Sequence, residues 1–185
     1  MYKHIKLPLD KQTIMSLKSG DMCYLSGIIY TARDAAHKRL TELVDEGKDL
    51  PFDIRGACIY YAGPSPARPG EVTGSIGPTT SYRMDAYAPK LIRLGLGGMI
   101  GKGMRSQEVR QAMKEEGAVY FGAIGGCGAL ISKCVVESEI VCYEDLGAEA
   151  VRRLRVKDFP VTVIMDAYGG NLYETGRSDY LNAHK

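Results

Sequence analysis

Residues 21–39 read DMCYLSGIIYTARDAAHKR, a β-branched and aromatic run that passes without a break into a helical pattern. The first ten positions favour a strand, because such side chains fit a pleated, half-buried surface. From Asp34 the apolar residues Ala36, Leu40, Leu43 and Val44 recur at helical spacing, and Gly47 supplies the stop. A strand followed directly by a helix is thus the first unit of the chain.

The alternation continues outward from this unit. GACIYYA at 56–62 is a second apolar strand, and the GPSPARPG that follows is a loop whose three prolines suit an interface or a functional segment. GSIGPTTS at 74–81 is a turn offering three consecutive hydroxyl caps to a helix over 82–94, which Pro89 kinks or divides. GLGGMIGKG at 95–103 is a short strand, 106–116 an amphipathic helix and 118–124 a further strand. After a Gly-rich turn at 125–128 come a short helical piece, a strand over 135–143 and a pair of strands over 151–157 and 161–166. Such alternation predicts one α/β domain over residues 1–185, with a mixed sheet or partly open barrel flanked by helices. Residues 1–20 read as an N-terminal arm and 174–185 as a C-terminal tail; neither an internal repeat nor a linker is evident.

Composition narrows the function classes. A chain of 185 residues can bury about 70% of its unfolded surface, so the fold needs neither disulfide nor metal. With 24 basic against 22 acidic side chains, the net charge of +2 argues against binding nucleic acid or an anionic membrane. No apolar run is long enough to span a bilayer and the first residues do not resemble a signal peptide, so a soluble cytoplasmic protein is expected. Cys23, Cys58, Cys127, Cys134 and Cys142 form no Cys-x-x-Cys pair. Cys127, Cys134 and Cys142 could ligate a cluster, but the segment between them reads as apolar core, and buried free thiols in a reducing compartment are the plainer reading. The 22 glycines stand well above the roughly 7% of ordinary domains and lie outside low-complexity tracts, so they serve particular backbone positions.

Three strand ends carry candidate chemistry, as expected of ligand sites in α/β folds. Arg33 stands at a helix start with His37 one turn on; a guanidinium beside free N–H groups suits a carboxylate or phosphate, although the segment also reads as a solvated basic face and His37 as a packing residue. Thr79, Thr80 and Ser81 precede Arg83 by up to one turn, and they also read as a simple cap with a surface arginine. Lys102 is bracketed by Gly101 and Gly103, which let a ligand approach the backbone while the ammonium adds a point charge. Nucleotide motifs fail here. A phosphate-binding loop would need Gly where Leu96 stands and a hydroxyl where Gly103 stands, and a dinucleotide fingerprint would need Gly at Ile100. Several cations around hydroxyls suit a small dicarboxylate, without specifying a reaction.

Four ordered motifs, TARDAAHKR at 31–39, GPTTSYRMD at 77–85, GKG at 101–103 and YFGAIGG at 120–126, resemble the beta subunit, or C-terminal domain, of class I iron-sulfur fumarases and L-tartrate dehydratases. The resemblance covers roughly residues 21–173. It implies a swivelling β/β/α domain and a hydro-lyase interconverting (S)-malate with fumarate and water, or converting tartrate to oxaloacetate and water. It further implies a 4Fe-4S cluster, held by a separate alpha subunit and acting as a Lewis acid on the leaving hydroxyl, in a hetero-oligomer such as α2β2. By the same resemblance Arg33, Arg83 and Lys102 correspond to carboxylate-binding residues and Thr79 to the general base, its weakly acidic hydroxyl activated by Arg83 and the helix start. His37 takes a supporting place, and whether Thr80 takes part is open. The 31–37 and 124–126 segments look closer to the fumarases, which favours fumarate over tartrate; a stabilising or anion-binding subunit without catalytic residues is the non-enzymatic alternative.

Overall fold

The computed structural model describes residues 2–183, with sixteen helical and strand segments. In chain order the strands are β1 (Lys3–Lys6), β2 (Met22–Thr31), β3 (Cys58–Tyr60), β4 (Gly98–Gly101), β5 (Val119–Gly122), β6 (Val135–Cys142) and β7 (Val151–Met165). The α-helices are α1 (Lys11–Ser16), α2 (Asp34–Asp45), α3 (Ala88–Arg93), α4 (Gln107–Glu116), α5 (Gly128–Ile131) and α6 (Leu172–Ala183). Short 3-10 turns cover Ser81–Met84, Ser132–Cys134 and Glu144–Glu149.

The strands β2, β3, β4 and β5 run parallel in that spatial order. Antiparallel β7 pairs with both β5 and β2 and closes them into a five-stranded barrel. β1 adds beside β2 and β6 beside β7. The mixed sheet or barrel expected from the alternation is therefore a closed barrel with flanking helices.

Parallel strands covered on both faces must be apolar on both. Cys58, Tyr60, Ile100, Val119 and Phe121 join one buried cluster, while the alternating Ile59, Tyr61, Met99 and Tyr120 join a second with Leu40 of α2, Leu91 of α3 and Val109 of α4. The helices form where the sequence caps them. Ser106 accepts the Val109 N–H at 3.4 Å at the start of α4, and Gly117 ends that helix in the left-handed region with φ 72°.

Several elements differ from their sequence reading. The helix over 82–94 is divided, as the Pro89 reading allowed, but the break falls ahead of the proline: a 3-10 turn at Ser81–Met84 precedes α3, in whose first turn Pro89 lies, where its missing N–H costs nothing. The strand pair expected over 151–166 is one strand, β7, bent where Asp158 takes φ 50° opposite a register shift between Leu25 and Gly27. Within the segment read as an arm, β1 pairs in register with Cys23 to Ser26, and α6 occupies most of the segment read as a tail, whose residues 184–185 lie outside the described residues. Of the five free cysteines, Cys23 and Cys58 are buried and the other three only partly so. No helix among the described residues is long and apolar enough to cross a membrane.

The parallel strands place their C-terminal ends on one rim, and Gly101 is where the packing there is tightest. A Cβ at Gly101 would lie 2.0 Å from the Ser81 Oγ and 3.0 Å from the Tyr61 ring. Gly101→Ala is expected to destabilise the fold by about 1–3 kcal/mol, read as a lowered denaturation midpoint; an unchanged midpoint would show that Ser81 moves away without cost.

Candidate functional site

The rim is built by the sheet ladder continuing past the strands. Ala32 N–H donates to the Tyr60 carbonyl at 3.2 Å, Tyr61 N–H to that of Ile100 at 2.9 Å, and Ala123 N–H to that of Gly101 at 2.9 Å. These bonds bring the residues after β2, β3, β4 and β5 side by side. The 77–80 segment is then fastened on top: Thr79 N–H donates to the Tyr61 carbonyl at 2.6 Å, Thr80 bridges to Lys102 in parallel register, and Ser81 N–H donates to the Lys102 carbonyl at 2.8 Å. Gly128 allows the 125–128 loop to lie against the same segment, since a Cβ there would meet the Ser75 Oγ at 2.5 Å and the Gly77 N at 2.9 Å.

All four sequence-predicted site residues lie on this rim. Lys102 is exposed, its stem running beside Gly125, and its ammonium has no ion-pair partner among the described residues. Thr79 is half-buried. Arg33 and Arg83 are both engaged: an Arg33 terminal nitrogen lies 3.1 Å from a Glu149 carboxylate oxygen, and an Arg83 terminal nitrogen donates to the Asp34 Oδ2 at 2.8 Å. Engagement is incomplete, because the buried Arg33 Nε and Asp34 Oδ1 lack partners. Burial works against the charge on Asp34, but the hydrogen bond from Arg83 and the charges of Arg83 and Arg33 outweigh it and hold its carboxyl below the usual carboxylate range.

His37 does not reach the rim surface. It is fully buried on α2, its Nδ1–H donates to the Arg33 carbonyl at 2.9 Å, and its ring lies edge-on to Tyr61 at 5.3 Å. Burial pushes its pKa down to about 4; the Arg105 charge adds to this, while the Arg33 carbonyl bond and Asp34 oppose it. The Nε2 is left without a partner.

Sequence reasoning missed the groups under the rim. Arg105 is buried, with its Nε donating to Asp85 Oδ1 at 2.7 Å and a terminal nitrogen donating to the Tyr61 hydroxyl at 3.2 Å. The Tyr120 hydroxyl donates to the Gly103 carbonyl at 2.9 Å and lies 2.9 Å from the Ser81 hydroxyl. Asp85 closes the 77–85 motif and Arg105 follows the 101–103 motif by two residues, but nothing in their spacing signals that they pair. Asp34 and Glu149 were likewise invisible as partners of the two arginines.

Among the described residues no three His, Cys, Asp or Glu side chains stand close enough to hold a metal ion. Cys127 and Cys134 pack against one buried cluster and Cys142 against the other. An iron-sulfur cluster therefore does not fit these residues.

The family model for the fumarase C-terminus matches residues 2–176. The chain belongs to this family. It is 40% identical over 172 residues to a protein of Methanocaldococcus jannaschii named putative L(+)-tartrate dehydratase subunit beta, covering 90% of this chain and 88% of that one. It is 42% identical over 153 residues to the anaerobic class I fumarate hydratase of Escherichia coli and 38% identical over 175 residues to fumarate hydratase 2 of Leishmania major. Those matches cover 81% and 91% of this chain but only 28% and 30% of the two fumarases, so the chain spans less than a third of their length.

The buried imidazole gives the fold a pH dependence of known sign. With its folded value of about 4 below the 6.5 of a free imidazole, the contribution of neutral His37 is fully present above about pH 6.5 and is lost as pH falls toward 4. His37→Gln is expected to flatten the acid side of the stability profile by on the order of 3 kcal/mol between those limits. Denaturant unfolding of both proteins across that range measures it, and parallel profiles would place the acid sensitivity elsewhere.

Proposed function

We propose that this chain is the beta part of a hydro-lyase acting on a four-carbon dicarboxylate, the leading reaction being (S)-malate to fumarate and water in either direction. The observation that carries the reading is the gathering of Arg33, Thr79, Arg83 and Lys102 on one rim of the barrel, with Lys102 unpaired and exposed. On this reading Lys102 and the Arg83 fork hold one substrate carboxylate and Arg33 the other. Thr79 moves the proton at the carbon next to a carboxylate. A hydroxyl is a very weak acid, so its use as a base requires positive charge nearby, which the two arginines and the lysine supply. The helix start contributes less than its sequence suggests, since Thr79 precedes a single 3-10 turn.

The iron-sulfur cluster of class I fumarases would supply the Lewis acid for the hydroxyl, and we assign it to a separate alpha partner, with an α2β2 assembly as the simplest arrangement. Support comes from the word subunit in the name of the archaeal relative, 88% of whose length this chain matches. Apolar Tyr82, Met104 and Ile124, respectively 67%, 50% and 71% exposed, flank the site segments and suit a surface that a partner covers. Five free thiols and iron-sulfur chemistry both fit a reducing cytoplasm.

A second reading, dehydration of tartrate, draws on the archaeal relative that this chain matches nearly end to end. Identities of 40% and 42% do not separate the two substrates. The test is anaerobic co-expression with the alpha partner and assay with both fumarate and L-tartrate. Turnover of fumarate by the complex and none by this chain alone is the expected result; activity of the lone chain would overturn the divided site. In the same complex Thr79→Ala should leave assembly intact and lower turnover by at least about 100-fold. Near-normal turnover would remove Thr79 as the base, and near-normal turnover in Lys102→Ala as well would leave the non-catalytic alternative standing.

A further inference from the structure

We propose that Arg105 and Asp85 form a positioning pair that fixes the Thr79–Arg83 segment against Lys102. Asp85 ends the 3-10 turn that follows Thr79, and Arg105 comes three residues after Lys102, so one ion pair joins the two site segments. Its side chains are 0% and 11% exposed. The guanidinium is held on every side: Nε to Asp85 Oδ1 at 2.7 Å, one terminal nitrogen to the Tyr61 hydroxyl at 3.2 Å, the other against the Met99 sulfur at 3.3 Å, and the Tyr61 and Tyr120 rings 5.2 and 4.9 Å from its carbon. The second Asp85 oxygen accepts the Ser106 N–H at 2.5 Å.

From Arg105 the brace runs on to the rim. Tyr120, stacked beside the guanidinium, bonds both the Gly103 carbonyl and the Ser81 hydroxyl, and Ser81 N–H closes the circuit on the Lys102 carbonyl. Stability alone does not explain the pair, because apolar residues of similar volume serve as well in a buried place; a fixed geometry is what a paired guanidinium with a partner on each nitrogen adds. Displacing a reacting group by about 1 Å can cost on the order of 100-fold in rate, so the brace acts on Thr79 and Lys102 without touching substrate.

The kinetic arm of the test rests on the hydro-lyase reading; the exchange arm does not. In the complex with the alpha partner, the double variant Asp85→Leu/Arg105→Met replaces the pair with apolar groups and is expected to keep its denaturation midpoint within about 5 °C of the parent. Its kcat should fall by about 100-fold, and the Ser81 amide should exchange hydrogen at least about tenfold faster while the β3 and β4 amides keep the parent rate. Should the double variant not fold, Arg105→Lys, which keeps the charge and loses the fork, carries the same two measurements. Normal turnover at either exchange rate overturns the proposal, and so does a loss of turnover with parent-like exchange, since the pair would then act through its charge. A parent complex inactive on every dicarboxylate would sink the hydro-lyase reading instead, and Ser81 exchange alone would decide whether the pair positions the segment.

Discussion

The barrel depends on one strand running antiparallel to the rest. Four parallel strands make a sheet with two open edges, β2 and β5, and each edge exposes unpaired backbone groups. β7 satisfies both, pairing with β2 from Arg152 to Thr162 and with β5 from Thr162 to Met165. Spanning both neighbours requires a bend, which the left-handed Asp158 and the register shift at Leu25/Gly27 provide. Closure then curls the C-terminal ends of β2 to β5 into one rim, where Arg33, Tyr61, Lys102 and Ala123 become neighbours despite their distance in sequence.

The parts of this fold legible in the sequence are those whose signals are local. β3, β4 and β5 are apolar because both faces are buried, β2 buries alternate β-branched, Leu and Cys residues on one face, and α4 carries a serine at one end and a glycine at the other. β1 escaped notice because only Ile5 of its four residues is buried, leaving a polar string. β7 read as two strands because Asp158 and Pro160 look like punctuation, whereas here both lie inside a ladder sustained by β2 on one side. Barrel closure needs the β2–β7 pairing, whose partners lie more than a hundred positions apart, and no local pattern encodes it.

For the candidate site the division is similar. Arg33, Thr79, Arg83 and Lys102 were legible as residues at strand ends and through resemblance to a family. Their partners were not, since Glu149 reaches Arg33 from a turn late in the chain and Asp34 meets Arg83 only after the 77–85 segment folds over α2. The missed Arg105 is the same case in the interior, where a charge among Tyr61, Met99 and Tyr120 is tolerated only because Asp85 arrives from another segment.

These partners change the electrostatic picture that a net charge of +2 conveys. Two of the three rim cations already face carboxylates, so on the proposed function an entering dicarboxylate would exchange with Glu149 and Asp34 for its hydrogen bonds, while Lys102 has no such competitor among the described residues. Such an arrangement favours a ligand that offers two carboxylates at once: a single carboxylate displaces one internal partner for one new bond, whereas a second adds an attraction to the unpaired lysine. The same pairing keeps the arginines ordered, which would lower the entropy lost on taking up the proposed substrate. On that proposal, selectivity for a small dianion would follow from which cations the fold leaves paired and which it leaves free, and not from an excess of positive charge.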